Sequence, residues 1–454
     1  MPNSSAAAPP QFDAIAGFAL DPALAPPEAE LRAAATLLID TLGVAAGAVT
    51  LQAGRLARDF AADHHAAGAK GAAATMLFDG RHVALPGAAW ALATQIDNLD
   101  AHDGLNATKG HIGCAVVPAL LAFAEGVPGL SGRAALTAMV MAYEVAARAG
   151  IALHASAGDY HTSGAWNALG VAALGCRLTG ADARVLRHAL GIAEYHGPRS
   201  QMMREIANPT MLHDGSGQGA LAGTTAALLA ARGFTGAPAL TVESPEVAGI
   251  WADLGQCWTV SRNYIKPWPV CRWAHAALDA LNALMRAHGF GAREVAALNV
   301  NTFAEAAQLV PGMPETTSQA QYSLRFALAA LLVHGRLGPD QIAGAALDDP
   351  RIAALLPRIT VAETARHSAH FPQGRWSDLT VHLADGRVLE SGDVNAHGGP
   401  EAPLSDAAIR DKLQVMAGAT LRDDRIAAIW GMRDRLLDPA AEFAELAALI
   451  TPAP

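Results

Sequence analysis

The chain has 454 residues, of which 52% are hydrophobic and 16% charged, a composition that excludes a disordered protein and predicts a large buried core. Its 32 basic residues against 42 acidic ones leave a net charge of −10, which argues against nucleic acid or an anionic membrane as a partner. Four scattered cysteines without a CxxC pair argue against a disulfide framework, a structural zinc and an iron–sulfur cluster. The N-terminal segment lacks the pattern of a secretory signal, so we expect a soluble, cytoplasmic protein.

Helical periodicity dominates the first part of the chain. Leu186, Ala189, Leu190 and Ala193 recur three and four residues apart behind Asp182, which predicts an amphipathic helix with an aspartate at its entrance. Other helices are predicted over residues 31–49, 114–125, 221–231, 276–288 and 407–450, and from Ser131 onward. Because Ala and Gly occupy their alternate sides, these helices are expected to pack closely on one another.

The pattern changes after about Cys271 to short runs in which apolar residues alternate. Such runs predict strands in ALNVNTF (297–303), RITVAE (358–363) and LTVHLADGRVL (379–389). The last run contains Asp385-Gly386, which is typical of a hairpin turn. A small α+β unit is therefore inserted before the polar, Gly/Pro-rich stretch NAHGGPEAPLSD.

A polar, Gly-rich loop precedes the helix predicted at 114–125. It contains Asp100, His102, Asp103 and His111, and two carboxylates with a histidine in such a loop are typical of reactive groups presented by a rigid scaffold. A solvated loop with an Asx cap explains the same spacing equally well.

Two further polar segments stand at helix entrances. His161 lies beside Thr162 and Ser163, where a capping role is favoured over an acid–base role. In residues 213–219, His-Asp precedes three alternating glycines, and these glycines are compatible with an anion cradle or with close helix packing.

A cationic segment follows at the end of this region. Two prolines at 267 and 269 predict an extended chain that brings Lys266, Arg272 and His275 together near a helix start, as a clamp for carboxylates. Cys271 has no neighbouring acid–base signature, so we interpret it as structural.

These segments, taken in order, resemble the MmgE/PrpD family, which includes 2-methylcitrate dehydratases, cis-aconitate decarboxylases and an iminodisuccinate epimerase. The resemblance covers nearly the whole chain and is carried by the loop from Asp100 to His111 before VVPALLAFAEG, and by GADARVLRHALGIA, KPWPVCRWAH and AQYSL. It implies a mainly α fold: a large all-α helical domain over residues 8–269, completed by 397–454, with an inserted α+β lid domain over 270–396. The active site is expected in a cleft between the two.

The resemblance also implies a homodimer that acts on a small polycarboxylate and needs neither a metal nor an organic cofactor. Positions that line the family's active site fall on the expected catalytic residues Asp100, His111, His161 and His275. The residues expected to bind substrate are Lys266, Arg272, Asp103, His213 and Tyr322.

Three positions depart from the family pattern. The lysine expected near residue 210 is absent, because Thr210 or His213 stands there. Phe326 replaces a tyrosine, and Gly104 replaces the threonine of the first loop. The absence of these side chains favours an epimerase somewhat more than the family pattern would otherwise allow, because epimerisation needs no leaving group.

The family's reactions share proton transfer at a carbon next to a carboxylate, which requires a base and cations that stabilise an enediolate. We expect His111 and His161 to be the proton-transfer pair, with Asp100 orienting or ionising one of them. Carboxylates of the substrate are expected to bind Lys266, Arg272 and His275. The first interpretation is a lyase similar to 2-methylcitrate dehydratase. The alternatives are an epimerase of an iminodisuccinate-like dicarboxylate and a catalytically silent paralogue that binds a polycarboxylate.

Overall fold

The computed structural model describes residues 8–452. Residues 1–7 and 453–454 lie outside the described residues. The first range belongs to the N-terminal segment that lacks a secretory signal pattern, and the second ends the predicted helical domain.

Helices form most of the regular structure. The α-helices are α1 (Pro10–Leu20), α2 (Glu28–Gly47), α3 (Gln52–His64), α4 (Leu85–Asp97), α5 (Gly113–Ala124), α6 (Gly132–Ser156), α7 (Gly164–Leu178), α8 (Ala183–His196), α9 (Met202–Ala207), α10 (Ser216–Ala231), α11 (Leu240–Glu243), α12 (Ala248–Trp251), α13 (His275–His288), α14 (Ala304–Ala307), α15 (Thr317–Gln321), α16 (Leu324–His334), α17 (Pro350–Leu355), α18 (Ala365–Ser368), α19 (Asp406–Ala417), α20 (Asp423–Arg435) and α21 (Ala444–Ile450). The strands are β1 (Ala73–Thr75), β2 (His82–Ala84), β3 (Val295–Thr302), β4 (Ile359–Glu363), β5 (Trp376–Leu383), β6 (Val388–Glu390) and β7 (Val394–Asn395).

The helices predicted from apolar periodicity are confirmed. Asp182 accepts a hydrogen bond from the Val185 amide (2.8 Å) and caps α8, and Ser131 accepts one from Ala134 (3.2 Å) and caps α6. Each cap satisfies a backbone N–H that the first helical turn leaves without a partner.

The helical body is built by close packing of small residues, as expected. Helix α10 packs against α4, α7 and α8, α6 packs against α7, and α19 and α20 from the end of the chain pack on α2. A Cβ at Gly170 would lie 2.6 Å from the Ala142 carbonyl, so α6 and α7 meet at backbone distance. Helix α6 and the segment Glu28–Thr50 are long and apolar enough to cross a bilayer, but 94% and 78% of their most apolar windows are buried in the protein, as in core helices.

A mixed sheet forms in the second part of the chain and confirms the predicted strands. Its order is β4-β3-β5-β6, with β3 parallel to β4 and antiparallel to β5, and β7 pairs with β5. Val300 lies between Val361 and Leu379 in register, and the hairpin between β5 and β6 turns at Gly386 with φ 90°.

The predicted fold class was wrong in describing the first domain as all-α. Strands β1 and β2 form an antiparallel sheet within residues 8–269, with Ala73 opposite Ala84. Three-residue strands are too short to show a period of two in the sequence. The described residues also share one apolar cluster that runs from Phe12 to Ile450 through both parts, so a separate lid is not recognised. The domain boundaries at 269/270 and 396/397 stay a prediction.

Candidate active site

Two loops that contain three residues with unusual backbone geometry meet at one place in the structure. Asp100 (φ 54°), Lys109 (φ 51°) and His213 (φ 46°) have the left-handed conformation that non-glycine residues rarely adopt. Such strain persists where the surrounding fold imposes it, and it is concentrated at functional sites. These residues follow α4, precede α5 and precede α10, respectively.

These loops border a cavity of about 230 Å³ that lies between the two parts of the chain. Its charged and polar lining residues are Asp100, Lys109, His111, Tyr160, Asp214, Tyr264, Lys266, Cys271, Arg272, Glu305, Tyr322 and Arg375. Its apolar lining residues are Met202, Met203, Ile206, Trp273 and Phe371. The expected position of the site between residues 8–269 and 270–396 agrees with this lining.

His111 is held in one tautomer at the cavity wall. Its Nδ1–H donates to the Asp103 carbonyl (2.6 Å), which leaves Nε2 without a proton. Burial, and then the charge of Lys266, lower the pKa of His111 to about 4. The imidazole is therefore neutral at neutral pH, and Nε2 is available as a base.

Asp214 is the carboxyl group beside that base. Its Oδ2 lies 3.7 Å from Nε2 of His111, and its Oδ1 accepts a hydrogen bond from Ser163 Oγ (3.0 Å). Burial raises the pKa of Asp214 to about 6, against the lowering effects of the Ser163 hydrogen bond and the Lys266 charge.

Lys266 brings a positive charge to the cavity floor. Its side chain is fully buried, and its ammonium donates to Oδ1 of Asp100. Burial raises the pKa of Asp100, whereas the charge of Lys266 lowers it. Removing either Lys266 or Asp100 would leave the other charge buried without a partner, which destabilises a protein strongly.

Arg272 is a second cation at the cavity, and its guanidinium contacts the buried side chain of His275. The guanidinium donates to the carbonyls of His397 (2.5 Å) and Ala396 (3.0 Å) and to Nδ1 of His275 (3.5 Å). His275 donates from Nε2 to the Val270 carbonyl (3.0 Å), so both of its ring nitrogens are engaged. His275 is buried and is not among the residues that line the cavity.

Aromatic rings connect these groups. The Arg272 guanidinium lies over the Tyr264 ring at 4.4 Å, and the same ring meets His111 edge-on at 6.3 Å. The Tyr160 hydroxyl donates to the Lys109 carbonyl. Phe326, which replaces the family tyrosine, is fully buried and is not among the lining residues.

Three other residues predicted for the site do not line the cavity. Asp103 contributes its carbonyl to His111, while its own carboxyl is buried behind the loop. His213 is buried against Tyr322, with the ring centroids 5.9 Å apart. His161 donates from Nδ1 to the Asp159 carbonyl (2.8 Å). Roles for these side chains in substrate binding or catalysis rest on the resemblance alone.

The sequence interpretation missed several groups that line the cavity or support it. The chief ones are Asp214, Ser163, Lys109, Tyr264 and Arg375. Asp214 and Ser163 were part of polar segments already singled out, so their position at helix entrances was the available signal. Arg375 stands outside every such segment, and only the fold brings it to the cavity.

Two sets of buried side chains have ligand atoms within 4.8 Å of one another, as a metal site requires. They are Asp97, His102 and Cys114, and Asp100, His102 and His111. Neither ring nitrogen of His102 has a hydrogen-bond partner among the described residues. The second set contains the carboxylate that Lys266 already neutralises. The expectation that no metal is needed stays a prediction.

Cys271 is exposed to the cavity but is poorly suited to nucleophilic attack. Burial raises the pKa of its thiol to about 12, so the reactive thiolate is not formed at neutral pH. This agrees with its interpretation as a structural residue.

Comparison with known protein families identifies both halves of the chain. The profile of the MmgE/PrpD N-terminal domain matches residues 13–246, and the profile of the MmgE/PrpD C-terminal domain matches residues 268–435. A search of curated proteins gave no significant match. The two profiles cover most of the described chain and belong to a family of dehydratase- and lyase-type enzymes. The chain therefore belongs to the MmgE/PrpD family.

Proposed function

We propose that this protein is a lyase that removes a proton from the carbon next to a carboxylate of a small di- or tricarboxylic acid, without a cofactor. His111 is the base. The observation that carries the proposal is the neutral imidazole of His111, fixed through Nδ1 with Nε2 beside the cavity, next to the buried ammonium of Lys266.

The charges around the cavity suit a polyanionic substrate. Lys109, Lys266, Arg272 and Arg375 line it, and Arg guanidinium groups bind carboxylates through paired hydrogen bonds. Burial lowers the pKa of Arg272 to about 10, so this side chain remains charged at neutral pH. A volume of about 230 Å³ limits the substrate to a small acid.

Cations close to the reacting carbon also lower the barrier. Proton removal next to a carboxylate builds negative charge on its oxygens, and preorganised cations stabilise that charge more strongly in a buried site than in water. Lys266 is fully buried and is held in place by Asp100, so it meets this requirement.

The geometry favours a lyase over an epimerase. An epimerase needs two groups on opposite faces of one carbon. Asp214 is the acidic neighbour of His111 at the cavity, but 3.7 Å between Nε2 and Oδ2 leaves no room for a substrate carbon between them. His111 and Asp214 therefore both face the same side of a bound substrate.

The test is incubation of the wild-type protein in D₂O with 2-methylcitrate, citrate, cis-aconitate and iminodisuccinate, followed by NMR and mass spectrometry. The proposed lyase eliminates water and gives an unsaturated product, whereas decarboxylation without loss of water contradicts proton removal from carbon. Exchange of a C–H for deuterium with inversion and without elimination indicates the epimerase. Binding of these acids with neither exchange nor product contradicts an enzymatic role and leaves the silent paralogue.

A further inference from the structure

We infer that Asp214 is the acid that protonates the departing hydroxyl group while His111 takes the proton from carbon. This inference rests on the proposed lyase function and assigns it a second reacting residue, in place of the pairing of His111 with His161 expected from the sequence.

The contacts of Asp214 fix it relative to the base. The backbone N–H of His111 donates to Ser163 Oγ (3.0 Å), and that hydroxyl donates to Asp214 Oδ1 (3.0 Å). The free Oδ2 then lies 3.7 Å from Nε2 of His111. The three residues form a closed ring of contacts, which fixes Oδ2 beside Nε2 of His111. In this proposal Oδ2 is the oxygen that carries the proton.

His161 lacks such a position. Its Nδ1 donates to a backbone carbonyl, as in His111, but His161 is not among the residues that line the cavity. Asp214 lines the cavity and is 4% exposed, so it is shielded from bulk water yet open to a bound substrate.

The surroundings of Asp214 keep its carboxyl group partly protonated. Burial raises the pKa of Asp214 to about 6, although Ser163 and Lys266 lower it. The titratable groups whose charges interact with it are Asp97, Asp100, Glu205, Lys266, Cys114, Cys271, Tyr160, Tyr264 and Tyr322, and His111 lies beside it. A bound polycarboxylate adds negative charge and disfavours ionisation of Asp214 further.

The proton balance closes within this pair. His111 Nε2 takes the proton from carbon, and the electrons of the C–H bond form the new C=C bond. The C–O bond breaks, its electrons go to oxygen, and the proton of Asp214 converts the departing group to water. His111 is then an imidazolium beside a carboxylate, and transfer of one proton from Nε2 to Oδ2 restores both residues.

The experiment compares wild type with Asp214→Asn, which keeps the shape of the side chain but cannot act as an acid. The substrates are the hydroxy acid that wild type dehydrates in the panel above, and its analogue with fluorine in place of the departing hydroxyl. Fluoride leaves without being protonated. We expect Asp214→Asn to slow water elimination by about 10²-fold or more, while fluoride elimination changes less than about threefold.

The outcomes separate this inference from the proposed function. Absence of elimination from every acid by wild type overturns the proposed function and the inference with it. An active wild type with an equally active Asp214→Asn, or with fluoride and water elimination impaired alike, overturns the inference alone. Asp385→Asn, at the exposed turn between β5 and β6, is the matched control and is expected to retain wild-type rates.

A second variant covers the case in which Asp214→Asn does not fold. Ser163→Ala keeps the carboxyl but removes the hydrogen bond that lowers its pKa. The alkaline limb of the pH–rate profile for water elimination is then expected to move to higher pH. An unchanged limb contradicts the role of Asp214 as the acid.

Discussion

Gly104 and Tyr264 exchange two backbone hydrogen bonds, from the Gly104 amide to the Tyr264 carbonyl (3.1 Å) and from the Tyr264 amide to the Gly104 carbonyl (2.8 Å). This contact joins the loop that carries Asp100 and His111 to the segment that carries Lys266. The Tyr264 hydroxyl occupies the space that a side chain at residue 104 would need. The threonine that the resemblance expects there therefore has no room, and the departure at Gly104 is coupled to Tyr264.

The first prediction follows from this packing. A Cβ at residue 104 would overlap the Tyr264 hydroxyl and would lie 2.9 Å from Nδ1 of His111, so Gly104→Ala displaces the phenol and the base. Displacements of this kind cost about 10²-fold in rate. We expect kcat/KM to fall by about that factor. Gly312→Ala is the control, since nothing lies within 4 Å of its added Cβ, and equal rates for the two variants would contradict the prediction.

The second prediction concerns His111 itself. His111→Ala removes the base, so the chemical step is expected to slow by about 10²-fold or more. The ring is buried and meets the His102 ring edge-on, with the ring centroids 4.4 Å apart, so it also contributes to packing. The melting temperature is therefore expected to fall as well.

Chemical rescue separates the two effects of this substitution. Added imidazole is expected to restore part of the turnover of His111→Ala, since the truncated side chain leaves space for it beside the cavity. Lost turnover that imidazole does not raise, in a variant that is folded at the assay temperature, contradicts the role of His111 as base.

The third prediction assigns substrate binding to Arg375. This guanidinium lies 5.3 Å from the Phe371 ring centroid, and its buried Nε has no hydrogen-bond partner within the described part of the chain. A hydrogen bond to a charged group contributes about 1.5–3 kcal/mol, so Arg375→Gln is expected to raise KM about 10- to 10²-fold. Steady-state kinetics check this. Arg351→Gln, whose side chain is 64% exposed, is expected to leave KM unchanged.

Elements with a strong local pattern could be predicted from the sequence, and short ones could not. Helix α8 has an apolar face and a capping aspartate within its own residues, so it was recognised with its entrance. Strands β1 and β2 have three residues each and are defined by pairing with each other, which no local period reveals.

The candidate site shows the same division. Asp100, His111, Lys266 and Arg272 stand in polar segments that the sequence marks, and all four line the cavity. Arg375 carries no local mark and reaches the cavity only through the fold. His161 and His275 are imidazoles in two of these polar segments, so the sequence predicts them as site residues. Neither residue lines the cavity, because the fold brings other side chains of those segments to it, and the sequence does not show which ones.

The fourth prediction is that turnover needs no metal. We expect EDTA-treated and untreated protein to have equal rates, because the proposed chemistry uses only the imidazole, the carboxyl and the cations of the cavity. Elemental analysis of the purified protein accompanies the rate measurement. A stoichiometric metal whose removal abolishes turnover contradicts this prediction, and loss of that metal in Cys114→Ala would locate it at the cluster with Asp97 and His102.

The fifth prediction concerns stability and the carboxyl of Asp103. Burial, and next the negative charge of Asp40, raise the pKa of Asp103 from 3.8 to about 7 in the folded protein. Between these values the folded state binds more protons than the unfolded state, so the free energy of unfolding falls as pH rises. The loss amounts to about 4 kcal/mol once the pH is above 7.

Asp103→Asn removes this titration, so its stability relative to wild type is expected to increase between pH 4 and pH 8. Denaturant unfolding at both pH values measures the difference. Asp385→Asn is the control, because the pKa of that exposed carboxyl is lowered by Arg387 and its removal gives no gain at high pH. If the stability difference between Asp103→Asn and wild type does not grow with pH, the raised pKa of Asp103 in the folded protein is contradicted. Kinetics on the same variant then test the predicted substrate contact, since a carboxyl enclosed behind the loop leaves KM unchanged.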